Sequence, residues 1–303
     1  MAKAIRIHAF GDPSVLQYED LPALSPRAGE ALVKIDAIGV NYLDIYHRNG
    51  IYPITLPVTL GQEAAGTVAA VGDGVTTVQV GDRVAWTGVF GSYAEANVVP
   101  ADRLVAVPPG VTMRQAASAM LQGITAHYLA TSTYPLKAGD TCLVHAGAGG
   151  VGLLLTQVAK MRGARVITTA SAANHAYLKT LGPDQIIDYN KDDFTKIVSN
   201  VDAVFDTVGG DVATRSYDVL KAGGRAAFIA SGAKAPATAR SDVKGLRPAV
   251  GRDRAHLDRI RTLIESGAVK VPEITVFPLA DAAKANAVSK GRHFRGKLVL
   301  KVR

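Results

Sequence analysis

The chain has 303 residues, 48% of them hydrophobic and 20% charged, which excludes an intrinsically disordered protein and leaves room for two domains. No apolar run reaches the roughly 18 residues of a membrane helix, and the N-terminal sequence predicts a first strand instead of a signal peptide. We therefore expect a cytoplasmic protein with no membrane segment.

The formal net charge is +8, and a basic protein of this kind can bind nucleic acid. The lysines and arginines are scattered, and the densest stretch, residues 247–261, is interrupted by Asp253 and Asp258. This stretch predicts either a solvated helix face or a surface that attracts an anionic cofactor or substrate. A nucleic-acid partner is not expected.

Cys142 is the single cysteine of the chain. One thiol excludes an intrachain disulfide and a zinc site built on several thiolates. Because Cys142 lies in the apolar sequence TCLV, we predict that its side chain packs in the core.

The first hundred residues read as strands separated by turns. Residues 30–37 alternate between polar and apolar side chains, which predicts a strand with one buried face. Residues 61–71 and 80–86 are further β-rich runs, and glycines mark the turns around them. The pattern predicts a mostly-β domain.

The pattern changes at Thr112, a predicted N-cap, after which strands and helices alternate. The predicted strands are residues 141–145, 165–169, 185–188, 203–206 and 225–229. Such alternation is typical of a doubly wound parallel sheet.

The tail differs again, with a strand at residues 274–277, a helix at 279–289 and a last strand at 297–302. We expect it to pack back on the first domain. The predicted domains are therefore residues 1–118 with 268–303, and residues 119–267.

The sequence GAGGVG at residues 147–152 matches the pattern G-x-G-x-x-G. An apolar strand precedes it and an apolar helix follows it, which is the context that a dinucleotide-binding loop requires. In such a loop Gly147 permits the tight turn, Gly149 lets the backbone approach the pyrophosphate, and Gly152 lets helix and strand pack closely. A purely structural glycine turn is the alternative.

The end of the second strand of this unit indicates which dinucleotide is bound. An NAD site usually places an acidic residue there for the ribose 2′-hydroxyl, whereas residues 168–175 contain no acid. Ser171 and Asn174 could donate hydrogen bonds to a 2′-phosphate, and so could His175 or Lys179. These residues could instead only cap the next helix. The pattern favours NADPH.

Several segments in fixed order resemble the zinc-free quinone oxidoreductases, or zeta-crystallin family, of the medium-chain dehydrogenase/reductase superfamily. The segments are residues 41–53, 60–66, 80–84, 91–95, 122–126, 206–210 and 295–300. The resemblance implies an α/β protein with a GroES-like mostly-β catalytic domain and a doubly wound Rossmann nucleotide-binding domain.

The resemblance also implies that no metal is bound. The zinc alcohol dehydrogenases of the superfamily have a cysteine where this chain has Asn41 and a histidine where it has Gln62. Their four-cysteine lobe is replaced here by the short loop 85–90. Zinc requires thiolate or imidazole ligands in tetrahedral geometry, and these positions supply none.

By resemblance, the protein is an oxidoreductase that reduces quinones or α,β-unsaturated carbonyls with NADPH, by hydride transfer without a metal. The hydride adds to the acceptor, negative charge moves to the carbonyl oxygen, and that oxygen needs a hydrogen-bond donor. The expected catalytic residues are Tyr46, Tyr52 and Asn41. Ordinary packing is the alternative for each tyrosine.

The expected cofactor-binding set extends beyond the glycine loop, and a homodimer joined near residues 225–229 is expected. The set is Asn41, Gln122, Thr125, Gly147, Gly149, Gly150, Val151, Gly152, Thr169, Ser171, Asn174, Tyr189, Val208, Phe228, Ala230, Ser231 and Lys297. NADPH-binding relatives often carry a lysine on the helix where this chain has Asn174 and His175, so NADH stays open.

A second hypothesis is a nucleotide-binding protein without catalysis, as crystallin-like and RNA-binding relatives suggest. The basic charge is compatible with it. The identity of the acceptor and the choice between one-electron and two-electron reduction also stay open at this point.

Overall fold

The computed structural model describes residues 2–230, 235–248, 254–292 and 294–302. The chain divides into two compact units, one formed by Met1–Leu121 with Arg252–Arg303 and the other by Gln122–Gly251. These units differ from the predicted domains over residues 119–121 and 252–267. The functional division into a catalytic and a nucleotide-binding domain stays a prediction.

The first part of unit one is mostly strand. Its strands are β1 (Ala2–Ile7), β2 (Gln17–Leu21), β3 (Glu30–Gly39), β4 (Val58–Thr59), β5 (Glu63–Val71), β6 (Arg83–Thr87), β7 (Ala96–Pro100) and β8 (Val105–Ala106). Helix α1 (Tyr42–Arg48) follows β3, and helix α2 (Met113–Ala117) begins after Thr112. The predicted N-cap is confirmed, since the Thr112 hydroxyl accepts a hydrogen bond from the Gln115 N–H.

Unit two alternates strand and helix. Helix α3 (Met120–Tyr128) leads into a π-helical turn (Leu129–Thr133). The strands are β9 (Thr141–Val144), β10 (Arg165–Ala170), β11 (Gln185–Asp188), β12 (Val201–Asp206), β13 (Leu220–Phe228) and β14 (Lys244–Leu246). The helices between them are α4 (Gly150–Met161), α5 (His175–Lys179), α6 (Phe194–Ile197) and α7 (Asp211–Arg215).

The strands of unit two form a parallel sheet in the order β11-β10-β9-β12-β13-β14. This is the strand order of the doubly wound dinucleotide-binding fold, so that prediction is confirmed. Strand β14 was missed, and it pairs with residues 225–227 of β13. Strand β14 therefore forms the edge of the sheet beside residues 225–227, and the expected dimer near residues 225–229 stays a prediction.

The C-terminal part of unit one contains helix α8 (Arg254–Glu265), strand β15 (Ile274–Pro278), helix α9 (Ala282–Gly291) and strand β16 (Lys297–Lys301). Strand β16 pairs antiparallel with β3, at Val299 opposite Gly39. The expected return of the tail to the first domain is confirmed.

The core of unit one lies on one face of its larger sheet, in the order β15-β16-β3-β5-β6-β8, with β7 also paired to β3. The predicted alternation in β3 is confirmed, because Val33 and Ile35 are buried while Lys34 is exposed. Trp86 and Tyr93 are the largest aromatic side chains buried in this core. A smaller sheet has the order β2-β1-β4.

In the described part of the chain, every helix is too short or too polar to cross a bilayer.

Cys142 is fully buried in β9, and burial raises the pKa of its thiol to about 12. Since the thiolate is the reactive form, we expect no labelling of the native protein by a thiol reagent near pH 8. The measurement is time-resolved labelling, with the urea-unfolded chain as a control that reacts at its single thiol. Rapid stoichiometric labelling of the native protein would contradict this placement.

Candidate active site

Three strands of unit one bring distant residues to one end of the sheet. The register places Val299 of β16 opposite Gly39 of β3, and Ile38 of β3 opposite Ala64 of β5. Asn41 follows the end of β3, Glu63 begins β5 and Lys297 begins β16. The sheet therefore places these three side chains together, although Lys297 lies 256 positions from Asn41 in the sequence.

A fully buried ion pair forms at this end of the sheet. The Lys297 Nζ donates to Glu63 Oε2 at 2.7 Å and to Asn41 Oδ1 at 2.8 Å. The Asn41 Nδ2 donates to Glu63 Oε2 at 3.0 Å and to the Gly39 carbonyl at 3.1 Å. The other Glu63 oxygen, Oε1, accepts from the Leu121 N–H at 2.7 Å. The amide of Asn41 is thus held in one orientation from both ends.

Burial makes this pair sensitive to the loss of either partner. Lys297 is 2% exposed and Glu63 is 0% exposed, so neither charge is stabilised by water. Burial lowers the pKa of Lys297, and the nearby carboxylates of Glu63 and Asp44 oppose that shift. The hydrogen bonds at each charged group compensate for the desolvation.

A second chain of buried polar groups connects Asn41 to helix α9. The Asp44 Oδ2 accepts from the Asn41 N–H at 2.8 Å and from the Tyr93 hydroxyl at 2.8 Å. The Tyr93 hydroxyl accepts from Asn286 Nδ2 at 3.3 Å, and Asn286 Oδ1 accepts from Arg48 Nη1 at 3.0 Å. Since these groups are all buried, they fix helix α1 at its first turn and at its last turn.

Helix α1 and the loop after it present a cluster of aromatic rings. The Tyr46 and Tyr52 rings meet edge to face at 5.6 Å, and Tyr42 lies 4.9 Å from Tyr46. The backbone N–H of Tyr52 donates to the Tyr46 carbonyl at 3.3 Å. His47 packs edge-on against Phe90 at 4.8 Å. Both predicted tyrosines are half-buried, so a phenol in this cluster is accessible while its ring is packed.

The structure brings Asn41, Tyr46, Tyr52 and Lys297 into one unit, with Asn41 and Lys297 in direct contact. Lys297 was predicted to bind cofactor, and its ammonium group is directed to Asn41 and Glu63. Glu63, Tyr93 and Asn286 are parts of this network that were not predicted from the sequence. The signal for Glu63 was a carboxylate directly before the small residues at the start of β5, because a carboxylate in a buried strand needs a buried partner.

The glycine loop of unit two has the geometry that close packing requires. A Cβ at Gly147 would lie 1.8 Å from Thr168 Oγ1, and a Cβ at Gly152 would lie 2.3 Å from the Ala146 carbonyl oxygen. Gly149 is the N-cap of α4 and, being glycine, has no side chain with which to cap the first N–H groups of that helix. The loop therefore fits a dinucleotide pyrophosphate, for which these N–H groups are the usual ligands.

Thr169 and His145 support the loop from behind. The Thr169 hydroxyl accepts from the Ala146 N–H at 3.2 Å, and the Thr169 carbonyl accepts from the Gly147 N–H at 2.9 Å. His145 Nδ1 lies 3.2 Å from the same hydroxyl. Thr169, predicted to bind cofactor, is 4% exposed and shapes the loop backbone.

The remaining predicted cofactor residues lie on α3, at the start of α4, and at or after the ends of the unit-two strands. Gln122 packs beside the loop, since a Cβ at Gly150 would lie 3.0 Å from its Cγ. The Val208 N–H donates to Asp206 Oδ1 at 2.8 Å after β12 ends. Arg247 Nη1 donates to the carbonyls of Phe228 and Ala230. The rest are Val151 at the first turn of α4, Thr125 on α3, Ser171 and Asn174 after β10, and Tyr189 after β11. Ser231 lies outside the described residues.

The fold and the loop together define a dinucleotide-binding dehydrogenase or reductase of the medium-chain class. A family described as the GroES-like domain of alcohol dehydrogenase matches residues 27–109, and one described as zinc-binding dehydrogenase matches residues 181–300.

Relatives of known class match along the whole chain. A quinone oxidoreductase of Pseudomonas aeruginosa is 37% identical over 99% of this chain and 99% of its own length. A 2-haloacrylate reductase of a Burkholderia species is 35% identical, again over 99% of both chains. The crystal structure of Escherichia coli quinone oxidoreductase complexed with NADPH has a TM-score of 0.92 and 32% identity, covering 99% of this chain and 100% of the other. The chain belongs to the quinone oxidoreductase family of the medium-chain dehydrogenases/reductases.

The residues of unit one do not fit the zinc that one of these family descriptions implies. Asn41 offers an amide whose N–H groups and oxygen are bonded to Glu63, Gly39 and Lys297. The Lys297 ammonium places a positive charge 2.8 Å from that oxygen, which opposes binding of a second cation. Among the described residues, no group of three or more His, Cys, Asp or Glu side chains is arranged to hold a metal ion.

Substitution of Lys297 by methionine leaves the Glu63 carboxylate buried without its cation. We expect K297M and E63L each to lower the free energy of unfolding by about 3 to 5 kcal/mol. The double variant K297M/E63L should lose less than the sum, because it retains no unpaired charge. Urea unfolding measures all three. K301M, at the exposed end of β16, is the control and should change stability by less than about 0.5 kcal/mol. Additive losses in the double variant would contradict a coupled pair.

The buried carboxyl group of Asp44 makes the free energy of unfolding depend on pH. Its side chain is fully buried, and burial raises its pKa from 3.8 to about 6. A raised pKa means that the folded state binds the proton more tightly, so this group's contribution to stability is lost as pH rises between those values. D44N does not titrate. Its unfolding free energy should therefore rise relative to wild type by up to about 3 kcal/mol from about pH 4 to about pH 7. A difference that stays constant with pH in urea titrations would contradict this.

Proposed function

We propose that the protein reduces quinones or α,β-unsaturated carbonyls with NADPH, by hydride transfer and without a metal ion. The observation that carries the proposal is the glycine loop between β9 and α4, held close to Thr168 and Thr169, in a chain that matches quinone oxidoreductases over its full length. The NADPH complex of the Escherichia coli quinone oxidoreductase supports the choice of cofactor, and the similarity to a 2-haloacrylate reductase supports an unsaturated acceptor.

In this proposal unit two binds the dinucleotide. Bound NADPH supplies a hydride from carbon 4 of its nicotinamide. The first N–H groups of α4 hold the pyrophosphate, and Gly147 and Gly152 keep the backbone close enough for that contact. The residues after β10 and β11 bind the adenosine end.

Unit one acts on the acceptor. Addition of hydride at a conjugated carbon moves an electron pair onto the carbonyl oxygen, which then takes a proton in a quinone, while an enone takes it at the α-carbon. The phenols of Tyr46 and Tyr52 are the proposed hydrogen-bond donors to that oxygen, directly or through water. Asn41, fixed by Lys297 and Glu63, is the proposed polar contact to the nicotinamide ribose and the acceptor.

We further propose a cytoplasmic homodimer that takes no nucleic acid as a partner. Because β14 covers β13 at residues 225–227, a dimer that extends the parallel sheet would use β14 as its edge. Sedimentation at several protein concentrations tests the dimer, and a monomer mass throughout would exclude it.

The proposed function is tested by NADPH consumption with a panel of quinones and enones. The double variant Y46F/Y52F should lower kcat/KM by about 100-fold, because the developing oxyanion loses its donors. The dissociation constant of NADPH should not change. Y18F, at an exposed tyrosine of β2, is the matched control and should have wild-type activity. The single variants show which phenol contributes more.

Other outcomes of the same assay contradict the proposal. Tight NADPH binding without turnover of any acceptor would favour the non-catalytic alternative. Loss of activity on treatment with a chelator, together with stoichiometric zinc by elemental analysis, would overturn the metal-free mechanism.

A further inference from the structure

A row of contacting side chains runs through unit one, from the end of helix α9 to the loop after helix α1. The guanidinium carbon of Arg292 lies 4.4 Å from the centre of the Tyr42 ring. Tyr42 meets Tyr46 edge to face at 4.9 Å, and Tyr46 meets Tyr52 in the same way at 5.6 Å. A single ring therefore separates a permanent positive charge from the two phenols that are the proposed donors to the acceptor.

The backbone of Arg292 shows that its side chain is placed here at a cost. Arg292 is the C-cap of α9 and has a φ of 56°, in the left-handed region that favours glycine. The Cβ of any other residue is crowded in this conformation, which costs free energy. The preceding residue is Gly291, yet the left-handed position itself holds the arginine. The fold alone favours glycine at this position, so the arginine supplies something that the backbone does not require.

The neighbouring cations have different surroundings from Arg292. The negative end of a helix favours a nearby cation, and Lys290 in the last turn of α9 supplies one. Arg295, further along the chain, pairs with a carboxylate, because its Nε donates to Glu273 Oε2 at 2.7 Å. The Arg292 guanidinium is exposed and contacts a ring. A neutral ring does not cancel a charge, so this contact leaves a positive charge beside the tyrosines.

A guanidinium can contact a ring and bind an anion at the same time. Its five N–H groups lie in one plane and can donate to both oxygens of a carboxylate, while its face contacts the ring. The half-buried rings of the row offer apolar contact to conjugated carbons. An elongated acceptor can therefore place its carbonyl oxygen at the phenols of Tyr46 and Tyr52 and a carboxylate at Arg292.

We propose that the protein prefers conjugated acceptors that carry a carboxylate, and that Arg292 binds this group. This inference rests on the proposed function and names a class of acceptor for it. The class is an enone acid, which has the carbonyl group that receives the electron pair at one end and a carboxylate at the other. Arg292 contributes to the binding of the acceptor and takes no part in hydride transfer, so it acts on KM more than on kcat.

The experiment compares 4-oxo-2-pentenoic acid with its methyl ester, by consumption of saturating NADPH. The two acceptors share the conjugated ketone and differ in the charge at the far end. R292G is the main variant, because glycine adopts the left-handed backbone without strain and the chain should stay folded. We expect R292G to lower the acid-to-ester ratio of kcat/KM by about tenfold, the loss of one charge-assisted pair, through a higher KM for the acid. The KM of the ester and the dissociation constant of NADPH should not change.

Salt and two further variants separate a specific ion pair from a general effect of charge. Added salt should lower the acid-to-ester ratio in the wild type and leave it unchanged in R292G, because an exposed ion pair is screened. R292K keeps the charge without the planar group and should retain part of the preference. K290Q, which removes an exposed cation from the last turn of α9, is the matched control and should retain the wild-type ratio.

Several outcomes would overturn the role of Arg292 while the proposed function still stood. One is an acid-to-ester ratio that R292G leaves unchanged, or that K290Q lowers equally. Another is weaker binding of NADPH by R292G with equal losses for both acceptors, which would assign the guanidinium to the cofactor. A wild type that reduces the ester or a quinone but not the acid would also overturn it. Failure of the wild type to reduce any quinone or enone would overturn this inference and the proposed function together.

Discussion

The buried pair of Lys297 and Glu63 is the interaction on which the geometry of unit one depends. Its two residues begin β16 and β5, and the amide of Asn41 lies between them at the entry to α1. A charge pair without solvent is stable only when every hydrogen-bonding position is filled, so small displacements of any of the three elements are costly. The orientation of α1, and with it the position of Tyr46, follows from this requirement.

The need to fill every hydrogen-bonding position of a buried charge also explains why the buried polar network extends from Lys297 to helix α9. Asp44 adds a second buried carboxylate, and Arg48 adds a second buried cation. The formal charges of Lys297, Arg48, Glu63 and Asp44 sum to zero, which limits the desolvation cost that any one of them would carry alone. Tyr93 and Asn286 carry hydrogen bonds between these groups, from the core to α9. Apolar side chains in place of Lys297 and Glu63 can give a protein that is as stable, but they would not fix the direction of the Asn41 amide.

Local patterns predicted most of the fold and the dinucleotide loop. The glycines at residues 147–152 act within one turn, and the alternation in β3 reflects burial of one face, so both are visible in short stretches of sequence. The Lys297 partners were not predictable in this way, because Glu63 lies 234 positions away and only the sheet register brings the two together. Strand β14 was not predicted, because an edge strand of three residues is too short to show a periodic pattern in the sequence. Helix α8 belongs to the other compact unit than the domain predicted for it, because an amphipathic sequence does not indicate which core the helix covers.

His145, at the end of β9 in unit two, shows how burial decides what an imidazole can do. His145 is 1% exposed, and burial together with Arg215 lowers its pKa to about 4, so it stays neutral behind the glycine loop. Its ring contacts the Thr169 hydroxyl and packs against Phe194 at 4.6 Å, a fixed and uncharged support. Because the His145 ring is uncharged, it adds no charge that varies with pH beside the loop N–H groups that are proposed to hold the pyrophosphate.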